Sequence, residues 1–120
     1  MMMDENRWNI VREQIKCSFP YITDWAMNLF DKPLSEIKKQ VKISLESKVI
    51  DQSYIDFLKE QIELNARGQE WIALLTRRLK ALEPLVGKEI MFLSVKDNNR
   101  FIWIKIDPNN NRVILVETDD

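Results

Sequence analysis

The chain has 120 residues, 45% of them hydrophobic and 31% charged, which is too apolar for a disordered segment and enough for one hydrophobic core. With 18 basic and 19 acidic residues the net charge is −1, so no general field draws the chain to nucleic acid or to an anionic membrane. There is no histidine, one cysteine and two glycines, which excludes Ser-His-Asp and Cys-His nucleophiles, histidine zinc sites, an internal disulfide, GxGxxG and the P-loop.

Asp4 is placed to cap a first helix carrying Trp8, Val11 and Ile15, which Phe19-Pro20 interrupts. A short amphipathic turn from Thr23 to Phe30 follows, with Trp25 and Leu29 on one side. After Asp31-Lys32-Pro33, the stripe Leu34, Ile37, Val41, Leu45 predicts a further helix. Val41, Ile43 and Leu45 also alternate as in a strand, but the longer stripe favours helix. The strongest helix begins near Asp51, where Ile50 and Ile55 stand as a hydrophobic staple, and runs through Leu58 and Ile62. The pattern resumes at Ile72, Leu75, Leu79 and Leu82; between, Asn65, Ala66-Arg67 and Gly68 allow one bent helix or two meeting at Gly68. Pro84 ends it.

The period then changes to two. Ile90 to Val95 is apolar except for Ser94, Asp97-Asn98-Asn99 is a turn, and Phe101 to Asp107 alternates. Pro108 to Asn111 is a second turn and Val113 to Glu117 a third strand. The expected architecture is α+β in one domain, 1–120. Four or five N-terminal helices over 1–85 pack on a three-stranded antiparallel β-meander over 86–118, with Ile102, Ile104 and Ile106 against the helix that ends at Pro84.

Few residues carry chemistry. Asp107, Asn109 and Asn111 match the start of an EF-hand loop, but Arg112 stands where the turn needs glycine and Thr118 where calcium needs a bidentate Glu, so the segment reads as an Asn-rich hairpin loop. Asp97 and Glu117 with nearby Lys or Arg could serve a nuclease-like or nucleic-acid-processing subunit, yet no E-x-K or D-x-K stands on any of the three expected strands. Arg77, Arg78 and Lys80 with Lys88, and Lys38, Lys39 and Lys42, read as solvated faces without interleaved aromatics, so nucleic acid is not an expected partner. Cys17 reads as a small core residue. No cofactor and no metal is expected. The Met1–Arg7 segment lacks the pattern of a secretory signal, and apolar runs reach only four or five residues, so neither export nor a membrane span is expected and the default compartment is cytoplasmic.

Trp8, Trp25, Trp71 and Trp103 fall one per region and read mostly as core; Phe101 with Trp103 is the exception. They share the face opposite the three isoleucines, so both faces of the sheet are apolar and the second needs cover from the chain, a second copy or a partner. The expected partner-binding residues are Phe101, Trp103, Val113, Leu115, Glu117, Asp119 and Asp120, on an aromatic face beside an end strand with an acidic terminus suited to a basic partner. The functional expectation is a non-enzymatic protein-binding module, such as an inhibitor or immunity protein. The alternatives are the nuclease-like subunit and a homodimeric structural or regulatory subunit. In its size, lack of histidine and mild acidity the chain resembles bacterial immunity proteins and phage-encoded inhibitors, a likeness of composition that transfers no residue.

Overall fold

The structure is a computed structural model that describes residues 2–19, 22–64 and 68–119. The chain divides into two compact units, Met1–Ser47 with Ile90–Asp120, and Lys48–Glu89.

The first unit opens with α1 (Glu5–Ser18), α2 (Asp24–Phe30) and α3 (Leu34–Ile37). Asp4 caps α1 as expected: its Oδ1 accepts the Arg7 backbone N–H at 2.7 Å. The helices are laced together by polar contacts to backbone. The Trp8 indole N–H donates to the Lys32 carbonyl at 3.0 Å while its ring packs on Phe30, centroids 5.3 Å apart. Glu5 accepts the Ser35 N–H at 2.6 Å, and the Arg12 guanidinium donates to the carbonyls of Phe30 and Asp31. Pro20 lies outside the described residues.

The sheet has four strands in the order β1-β2-β3-β4: β1 (Lys42–Val49), β2 (Glu89–Asp97), β3 (Arg100–Asp107) and β4 (Arg112–Asp119). The sequence reading foresaw the antiparallel meander of the last three; the fourth strand corrects it. Helix α3 stops at Ile37, whose carbonyl accepts the N–H groups of Gln40 and Val41. The chain then extends, with Val41, Ile43 and Leu45 packed on the core and Lys42, Ser44 and Glu46 exposed. Alternation, not the longer helical stripe, describes this segment, because the core offers one flat face to it.

Ile102, Ile104 and Ile106 are fully buried. Their cover also differs from expectation: they share a core with Trp8, Val11, Ile15, Phe30, Leu34 and Ile37 of α1–α3, and not with the helix that ends at Pro84. In β4 a register shift leaves Ile114 as an extra residue, since Lys105 pairs with Leu115 and Ile106 with Val113. This bulge turns both Val113 and Val116 into the core. The Asn-rich loop is held by its own side chains: Asp107 accepts the Asn109 N–H, Asn110 accepts the Arg112 N–H, and Asn111 takes φ 57°.

The second unit contains α4 (Gln52–Leu64), α5 (Gln69–Leu82) and a 3₁₀ turn, Glu83–Leu85. Asn65, Ala66 and Arg67 lie outside the described residues; on either side of them stand two helices rather than one. Asp51 begins α4, its Oδ1 accepting the Ser53 N–H at 3.0 Å, and the Ile50–Ile55 staple pair is buried. Ile55 and Leu58 of α4 and Leu75 and Leu82 of α5 are buried. A Lys59–Glu83 ion pair of 2.8 Å joins α4 to the turn. The unit closes where it opens: Ile50 N–H donates to the Lys88 carbonyl at 3.2 Å, and Gly87 N–H, at φ 81°, donates to the Ile50 carbonyl at 2.9 Å.

Candidate interaction surface

The alternation of β3 that buries its isoleucines sends Phe101, Trp103 and Lys105 to the opposite face. The register lays three rows across that face: Lys96 and Phe101; Ser94, Trp103 and Glu117; and Phe92, Lys105 and Leu115. Phe101 and Trp103 stack parallel, centroids 5.4 Å apart and planes within 1°. Trp103 is 41% exposed. The Lys96 ammonium sits 5.4 Å from the Phe101 ring centre, and that of Lys105 5.4 Å from Phe92. Lys105 also lies 3.9 Å from a Glu117 carboxylate oxygen, both side chains largely covered. Trp103 thus stands between a small serine and an acidic residue on a rigid strand, its ring held by its neighbour.

The other expected contact residues are placed differently. Val113 and Leu115 are buried, at 8% and 4% exposure: Val113 turns into the isoleucine core, and Leu115 ends the third row of the Trp103 face beside Lys105. The open end of β4 is also narrower than expected. Gln14 of α1 accepts the Val113 N–H at 2.8 Å and donates to the Asn111 carbonyl at 2.6 Å, covering the strand's beginning. Asp119 pairs with Phe101 through its place in the register. Asp120 lies outside the described residues.

Asp97 and Glu117, the carboxylates of the nuclease-like alternative, do not converge. Asp97 pairs across from Arg100 and is bridged to it at 3.4 Å, on the isoleucine side of the pleat; Glu117 pairs across from Trp103, on the other side. Among the described residues no group of three or more His, Cys, Asp or Glu could hold a metal ion. Cys17 is exposed, not a core residue. Of the basic group on α5, Arg78 lies 6.0 Å from the Trp71 ring. An open groove of about 400 Å³ is lined by Met2, Met3, Leu34 and Lys38 together with Val41, Ile43 and Leu45.

Sequence reasoning missed one feature of the second unit. Tyr54, Phe57 and Leu64 are exposed along α4, at 36%, 52% and 69%, and Trp71 at 47%. The signal was present: Tyr54, Ile55, Phe57, Leu58, Ile62 and Leu64 are too many apolar residues for one buried stripe. Comparison with protein-family models, with curated proteins and with solved structures returned no match.

Proposed function

We propose that the protein is a non-enzymatic binding module that recognises another protein through the Phe101–Trp103 face of its sheet, and that it acts as an inhibitor or immunity protein by covering the partner's surface. The parallel Phe101–Trp103 stack carries this reading. An aromatic pair already fixed on a β-strand loses little freedom on binding, and tryptophan is among the side chains that contribute most at interfaces. The surrounding charges supply a polar rim. Glu117 and the acidic C-terminal residues would speed encounter with a basic partner rather than set affinity. The separation of Asp97 from Glu117 supports binding over two-metal hydrolysis.

The test uses the chain as bait, intact and as Trp103→Ala, in extracts of its native host, with thermal melts run alongside. The expected result is one or more proteins retained by the intact chain and lost with Trp103→Ala, while the melting temperature falls by only a few degrees and the variant stays folded. A partner retained equally by the variant removes the face from the interface.

A further inference from the structure

Strand β1 is the edge of the sheet farthest from β4, and its sequence is its own complement. An edge strand presents backbone donors and acceptors that another strand can take up. Lys42-Ile43-Ser44-Leu45-Glu46, run antiparallel to a second copy about a two-fold axis at Ser44, sets Lys42 opposite Glu46 twice and Ile43 opposite Leu45 twice. The smallest polar side chain of the five falls on the axis. The pleat separates these pairs by face: Ile43 and Leu45 lie on the core side, half-buried and lining the open groove, whereas Lys42, Ser44 and Glu46 are exposed on the other.

We infer that a second copy of this chain pairs with β1 in this register, joining two four-stranded sheets into one. The groove beside Ile43 and Leu45 then receives the partner's Leu45 and Ile43, extending the apolar row across the axis. Oppositely charged cross-strand pairs and apolar pairs both favour this register, and a one-residue slip would put lysine against leucine. A second symmetric register, centred on Ser47, sets Glu46 opposite Lys48, but it carries Asp51 and the start of α4 into the overlap. The Ser44 axis keeps the overlap within the strand. This inference is independent of the Phe101–Trp103 reading, because it uses the backbone edge of β1 and not the aromatic face of β3.

Sedimentation velocity over a concentration series tests it. The intact chain should pass from monomer to dimer with concentration. Glu46→Lys, which sets lysine against Lys42 on both sides of the axis, should weaken the dimer by about tenfold, and so should Lys42→Glu. The double variant Lys42→Glu with Glu46→Lys should restore it, which a loss of folding could not do. The register is read by crosslinking in a Cys17→Ser background, which removes the exposed native thiol: Ser44→Cys should form a disulfide dimer under mild oxidation and Ser47→Cys should not. A monomer throughout the series, a double variant no better than the single ones, or crosslinking at Ser47 in place of Ser44 overturns the inference.

Discussion

Gln14 does with one side chain what an added strand would do with a backbone. Its carbonyl oxygen takes the Val113 N–H and its amide donates to the Asn111 carbonyl, and Arg7 Nε holds the Asn111 side chain at 3.0 Å. Two half-buried backbone groups depend on it, so Gln14→Ala should lower stability by about 1–3 kcal/mol, read as a lower urea midpoint at unchanged slope. The tryptophans give a sharper contrast. Trp8 has no exposed surface and spans α1, α2 and the Lys32 carbonyl, so Trp8→Ala should cost about 3–5 kcal/mol. Trp103→Ala should cost about 1 kcal/mol, the stack with Phe101 being the main loss. Equal losses from the two would mean that Trp103 is a core residue. Composition cannot separate these residues: both are tryptophans in regular elements, and only the pleat, with the helices on one side of it, decides which one meets water. The alternation of β3 did carry the outward direction of Trp103, and nothing in β4 announced the bulge that buries Val113.

At the scale of elements, helix ends were legible and the β1 segment was not. Asp4 and Asp51 announce their helices because a side-chain oxygen one residue before a helical stripe has a local partner whatever the tertiary fold. Leu34 to Leu45 carries two periods at once, and only the neighbouring sheet edge selects the strand. Asp51 offers a pH test. The Ser53 backbone N–H, and after it the Ser53 hydroxyl, hold its carboxyl below the ordinary value of 3.8. A carboxyl depressed in the folded state contributes stability above its unfolded value and loses it as pH falls through the lower folded value. The denaturation midpoint should therefore drop below about pH 4 more steeply for the intact chain than for Asp51→Asn, which retains an acceptor but not the charge. Equal slopes would show that the cap is silent. Lys59 has the opposite sense: hydrogen bonding to Glu83, and after it the Glu83 charge, raise it above 10.5, so this contribution is present at neutral pH and lost only in strong alkali.

At the scale of the molecule, the second unit is an insertion between two neighbouring strands. β1 and β2 are adjacent in the sheet, yet the chain leaves at the end of β1, builds α4 and α5, and returns at the start of β2. Sequence reading divided the molecule at residues 85/86, where the hydrophobic period changes from helical to alternating. The period reports local conformation and is silent about which helices share a core with which strands, so α4 and α5 were assigned to the isoleucine face that α1–α3 occupy. The departure and return points are bonded to each other through Ile50, Gly87 and Lys88. Among the described residues, the isoleucine core is built from those of the first unit. Replacing residues 51–86 with a two-residue Asn-Gly turn should therefore leave a folded first unit, because adjacent antiparallel strands accept a tight hairpin where their ends already meet. The shortened chain should keep a cooperative denaturant transition and a near-ultraviolet circular dichroism signal from the packed Trp8. A chain that keeps its far-ultraviolet signal but melts without cooperativity would show that the second unit is needed for side-chain packing in the first, and the division into two units would then describe backbone contacts without describing stability.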